Sequence, residues 1–126
     1  MRSSGSGGKR AAPRERGKGF APGTLVVVSL DHPHEKFWGV LLEVAAAGVS
    51  VCGIELSSFD DFLALLRAHE AAGGCEVFFP MHRVQRVEID VQNGGIPSLG
   101  ERFRAATGRS PEDFLGTNRH RSVRKR

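Results

Sequence analysis

Five histidines and two cysteines are the residues of this 126-residue chain that could ligate a metal or move a proton. His32 and His34 stand two apart in Asp31-His32-Pro33-His34, while His69, His82 and His120 are scattered. A zinc site needs about four converging ligands. A Pro-containing stretch with no Cys-x-x-Cys beside it reads instead as a surface loop, so neither metal nor cofactor is expected. Cys75 with His82 is the one pairing that a nucleophile and its base could use, and no third group stands ready to orient the base. No nucleophile elbow, phosphate-cradling Gly-rich loop or paired-carboxylate motif is present. Gly73-Gly74 reads as a helix stop and Asp60-Asp61 as the first turn of a helix. A non-catalytic protein is the expectation.

Cations and aromatics offer a different chemistry. Arg83 and Arg86 follow Phe78 and Phe79, and Phe37 and Trp38 stand upstream. Bases of single strands stack on exposed aromatics beside Arg. In a domain with one Trp and no Tyr, the same aromatics serve equally as core, and alternation along a strand sends only one member of each pair to solvent. Charge is distributed unevenly. Residues 1–19 carry six Lys/Arg against one acid, and residues 117–126 carry five against none. Residues 20–116 hold seven Lys/Arg against thirteen Asp/Glu, a net of −6. Attraction to a polyanion therefore belongs mainly to the two ends. The candidate nucleic-acid-binding residues are Lys9, Arg10, Arg119, Arg121, Arg124, Lys125 and Arg126 in the ends, with Arg83 and Arg86 between them. RNA or another nucleic acid is the expected partner. A protein-interaction or assembly module, with a possible homo-oligomer, is the alternative.

These residues must be positioned by a small core. Residues 1–19 hold almost nothing apolar and are expected to form a disordered basic tail, as are residues 117–126. Pro22-Gly23 reads as a turn and Leu25-Val26-Val27-Val28 as the first strand. Residues 37–44 alternate with Trp38, Val40, Leu42 and Val44 on one face, and Gly39 marks a bend or close approach. Residues 49–56 form a third strand in which Gly53 bends the chain likewise. Ser57 and Ser58 then cap a helix of about four turns reaching Ala72, with a stripe of Phe59, Phe62, Leu63, Leu65 and Leu66. Residues 75–79 and 84–91 read as two more strands around the tight turn Met81-His82-Arg83. Pro97-Ser98 opens a helix stopped by Gly108, and Ser110-Pro111 opens another. The domains are thus a tail at 1–19, a curled five-stranded β-barrel at 20–91, a helical extension at 92–116 and a tail at 117–126.

The element Phe37-Trp38-Gly39-Val40-Leu41 has the hydrophobic-x-Gly-x-hydrophobic form of the first motif of Sm-like proteins. Val77-Phe78-Phe79-Pro80-Met81-His82-Arg83-Val84 is similar to their last strand pair with its tight turn. Over residues 22–91 the chain resembles that family, which implies a mainly β fold with helices. Specifically, it implies an SH3-like or Sm-like five-stranded small β-barrel, here with a helix inserted between strands 3 and 4 and two short C-terminal helices. Where the family reads RNA, in the loop after the second strand and in the last turn, this chain carries Ala45-Ala46-Ala47 and Met81-His82-Arg83. Arg83 is the residue there that could play a comparable part.

Cys52 and Cys75 fall on expected strands in apolar surroundings, with neither a signal peptide nor an apolar run of 18 residues, which points to a reduced cytoplasmic setting and no membrane. The Arg- and Ser-rich start has some transit-peptide composition, but Gly5, Gly7, Gly8 and Pro13 make a poor amphipathic helix.

Overall fold

A computed structural model of the chain describes residues 20–68, 74–112, 114 and 115. In chain order the elements are β1 (Leu25–Leu30), β2 (Glu35–Val44), β3 (Gly48–Glu55), α1 (Phe59–Arg67), β4 (Cys75–Pro80), β5 (Val84–Ile89) and α2 (Leu99–Thr107), with 3-10 turns at Leu56–Ser58 and Met81–Arg83. The five strands form one antiparallel sheet in the order β4-β3-β2-β1-β5. The sheet is not closed: β4 and β5 are its two edges.

The connectivity nevertheless forces the sheet to curl. Pro80 pairs with Gly48 near the far end of β2, whereas Val84 pairs with Leu30 beside the start of β2. In a flat sheet those positions would lie about 35 Å apart, from four strand spacings and some nine residues of rise. The 3-10 turn Met81–Arg83 joins them, and four Cα–Cα steps reach at most about 15 Å. Two devices let β2 bend. Gly39 and Gly53 face each other across β2 and β3, and a Cβ on Gly39 would run into the Cys52 carbonyl oxygen while one on Gly53 would run into that of Trp38. A bulge between Leu41 and Glu43 then adds local twist.

Curling creates two cores. Val26, Val28, Leu30, Phe37, Leu41, Val49, Val51 and Phe79 fill the inner face. Leu25, Trp38, Val40 and Cys52 point outward and are covered by Phe59, Phe62 and Leu63 of α1, Phe103 of α2, and Leu115. Trp38 meets Phe59 edge-on, with centroids 5.2 Å apart. Burying Phe103 and Leu115 completely contributes about 1.5–3 kcal/mol each. Trp38 is thus core, but beneath the helices rather than inside the curl, and the expected stripe ends before Val44, which is exposed. Of the pair Phe37 and Trp38, neither reaches solvent, because each face of β2 has its own cover.

Local boundaries differ from expectation for identifiable reasons. α1 ends at Arg67, and the expected continuation through residues 69–72 lies outside the described residues. Ser58 makes no side-chain cap; Ser57 Oγ instead donates to Glu55 Oε1 at 3.3 Å, and the 3-10 turn Leu56–Ser58 feeds α1 directly. β5 stops at Ile89 rather than Val91, since the chain must leave the sheet to reach α2. The basic tails lie outside the described residues.

Gly53→Ala should destabilise the domain by about 1–3 kcal/mol or more, because the added methyl meets backbone rather than a movable side chain. Urea unfolding read against the unchanged protein checks this, and equal midpoints would show that β2 and β3 do not cross so closely.

Candidate functional site

The helices are tied to the sheet by one carboxylate. Asp90, immediately after β5, accepts from the Leu99 N–H (2.9 Å) and the Gly100 N–H (2.7 Å), and from Trp38 Nε1 (3.1 Å). The next free N–H of α2, that of Glu101, donates to Ser98 Oγ (3.0 Å), and Glu101 Oε1 accepts from the Ser98 N–H (2.8 Å) in a capping box. The first-turn donors of α2 are therefore all satisfied, and a negative charge sits at the positive end of the helix. Gly108, at φ 75°, ends the helix and donates to the Arg104 carbonyl. Nothing local in the sequence marks Asp90 as a cap, since it lies nine residues upstream of Leu99.

Of the nine candidate nucleic-acid-binding residues, Lys9, Arg10, Arg119, Arg121, Arg124, Lys125 and Arg126 lie outside the described residues. Arg83 is engaged in the fold. Its Nε donates to the Asp31 carbonyl (3.0 Å) and one terminal nitrogen to the Pro33 carbonyl (2.8 Å), with Glu35 Oε1 at 3.4 Å. Its own carbonyl accepts from the Asp31 N–H (2.9 Å), and the Met81 N–H donates to the Ala47 carbonyl (2.9 Å). The Met81–Arg83 corner thus grips both the β1–β2 turn, where His32 takes φ 55°, and the β2–β3 turn. Arg86 stands on the outer face of β5, largely exposed, with Nε 3.3 Å from Glu88 Oε2. Phe79 is buried against Phe37, while Phe78 is 53% exposed beside Gly48 on the edge strand β4.

No family model, curated protein or solved structure matches the chain. The surface itself must supply the chemistry. An open groove of about 460 Å³ between α1 and α2 is lined by Asp60, Leu63, Arg67, Arg102, Ala105 and Ala106. It is spanned by the Arg102–Asp60 ion pair (2.8 Å), and its lining pairs no nucleophile with a base. A second, of about 330 Å³, runs from Val27 over Glu88 to Asn93. Among the described residues no three His, Cys, Asp or Glu side chains gather where a metal could be held. Cys52 and Cys75 sit one register step apart on β3 and β4 and so point to opposite faces, Cys52 buried and Cys75 exposed. Among the described residues no helix is long and apolar enough to cross a membrane.

Among the described residues, four of the seven Lys/Arg of residues 20–116 form ion pairs: Arg83 with Glu35, Arg86 with Glu88, Arg102 with Asp60 and Arg104 with Glu112. A fifth, Arg109, lies over the Phe114 ring at 4.9 Å. Lys36 is not among the candidates named from the sequence, and strand register places it on the outer face beside Ser29.

Asp90→Ala should cost about 2–4 kcal/mol, because two helix N–H groups and the indole lose their acceptor. Emission from the single tryptophan should shift to the red as its cover loosens, and an unmoved spectrum would count against the tie. Arg83→Gln should lower stability by about 1–2 kcal/mol through the β1–β2 turn, measured by urea unfolding. If it instead left stability unchanged and weakened nucleic-acid binding, Arg83 would be a contact rather than a clamp.

Proposed function

We propose that the chain is a non-catalytic, nucleic-acid-associated binding module of the cytoplasm, with RNA as its partner, in which the basic ends supply most of the affinity and the folded part adds a local contact. The observation that carries this reading is the partition of charge. The ends hold eleven Lys/Arg against one acid, while residues 20–116 are net −6, and among the described residues five of their seven cations are engaged by carboxylates or a ring of the domain. Binding through such ends is governed by counterion release and falls steeply with salt. A divergent Sm-like module is the family reading that goes with it. In support stand the Phe37-Trp38-Gly39-Val40-Leu41 element on a bent β2 and the last strand pair joined by a one-turn corner.

Assembly is the second reading, favoured by the two open edges. In Sm-like rings the fourth strand pairs with the fifth strand of the next subunit, and β4 and β5 are the edge strands here. Exposed edges find partners, and Phe78 adds apolar area beside one of them. The apolar faces of α1 and α2 are turned onto the sheet.

Removing residues 1–19 and 117–126 should abolish salt-sensitive RNA binding, measured by fluorescence anisotropy across a salt series. Retention of tight, salt-sensitive binding by residues 20–116 would overturn the assignment of affinity to the ends. Light scattering on the full chain tests the second reading: a larger species at tens of micromolar supports edge pairing, and a monomer rejects it.

A further inference from the structure

We infer that the outer face of the sheet carries a phosphate subsite built by Lys36, Ser29 and Arg86. This rests on the nucleic-acid reading above and gives it a place on the fold.

Three observations meet there. Ser29 is 1% exposed and its Oγ has no hydrogen-bond partner among the described residues. Buried hydroxyls nearly always find a partner, so an orphaned one calls for a reason. Its cross-strand neighbours on the same face are Lys36 on β2 and Arg86 on β5. They flank it one strand away on either side, so their α-carbons lie roughly 10 Å apart. Two long basic side chains can close from that span around a single phosphate. The third observation is a break in the ladder: Ser29 pairs with Arg86 but Leu30 with Val84, which leaves Gln85 as an extra residue beside Ser29. Bulges of this kind re-aim side chains and recur beside functional sites.

Electrostatics allow the site to open. Lys36 is exposed, and the Arg86–Glu88 contact is an exposed pair of the kind that holds weakly in water. A phosphodiester competing with Glu88 for Arg86 draws the guanidinium and the Lys36 ammonium over β1, and a phosphate oxygen then accepts from the Ser29 hydroxyl. Phosphate contacts of this sort position a strand without reading its sequence. The buried cluster beneath the helices takes in Leu25, Trp38, Val40 and Cys52 with Val27 packed against it, and Ser29, Lys36 and Arg86, one row further along the strands, are not among its members.

Amide chemical shifts of the full chain during titration with a short oligouridylate provide the test. Shifts at Ser29, Lys36 and Arg86 as well as in the basic ends are expected. Lys36→Gln and Arg86→Gln, both surface changes, should each lower the salt slope by about 1 and weaken binding equally for oligonucleotides of different sequence. Ser29→Ala separates a contact from a packing group. Removing an orphaned hydroxyl should leave the melting temperature equal or higher while affinity falls several-fold, by loss of a charge-assisted hydrogen bond. Unchanged affinity in all three variants, or shifts confined to residues 1–19 and 117–126, would overturn the subsite and leave the nucleic-acid reading standing. No shift anywhere would overturn both.

Discussion

The Asp90 carboxylate is the contact on which the arrangement of the outer layer depends. A curled sheet with apolar side chains on both faces is unstable in water unless the outer face is covered, and here the cover is α1, α2 and the helical residues that follow. Hydrophobic contact alone is non-directional and would let α2 slide. Asp90 supplies direction, because its oxygens meet three fixed donors: two at the start of α2 and one on the indole of Trp38. A half-buried carboxylate is tolerated there since every partner is a donor and the helix end is positive. The Ser98 capping box then sets where α2 begins, so Phe103 arrives over Trp38 with ring centroids 5.9 Å apart.

The same economy governs the inner face. Because a three-residue corner must join the two sheet edges, β2 has to bend, and the Gly39–Gly53 crossing lets two backbones approach where side chains would separate them. Arg83 fastens the corner to the β1–β2 turn through backbone carbonyls, which explains why a lone cation in that turn is a clamp. The inner face is then filled by its own side chains, from Val26 to Phe79. A ligand therefore meets the loops, the two strand edges, or the outer-face row where the exposed Lys36 and Arg86 flank Ser29.

Much of the fold is legible in the sequence because it is local. The β-branched run at Leu25-Val26-Val27-Val28, the turn at Pro22-Gly23, the corner Met81-His82-Arg83 and the Ser98 cap with Gly108 each carry their signal within a few residues. The second core is not legible, because alternation identifies one buried face and gives no sign that Phe37 and Trp38 are buried on opposite sides. Asp90 acts across nine residues to Leu99 and 52 to Trp38. Arg83 reads as a free cation until its carbonyl partners fold around it. Arg86 is nameable from the sequence as a candidate contact, whereas Lys36 and Ser29 become its neighbours only through strand register.

Register also bears on how an acidic domain can sit on a polyanion at all. At physiological ionic strength the Debye length is about 8 Å, so charges farther apart than that act nearly independently. The −6 of residues 20–116 therefore repels a nucleic acid only where the strand actually touches, and the local sign of the contact decides the outcome. Along the outer face, the row through Ser29 presents Lys36 and Arg86, while the next row presents Val27 and Glu88. Cationic ends can hold a strand near the domain without choosing a place on it. A single row of two cations around a hydroxyl chooses one, because moving by one row replaces an attractive pair with a carboxylate. The acidity of the remaining surface then works in the same direction, discouraging contact elsewhere, so that the domain sets orientation while the ends set affinity.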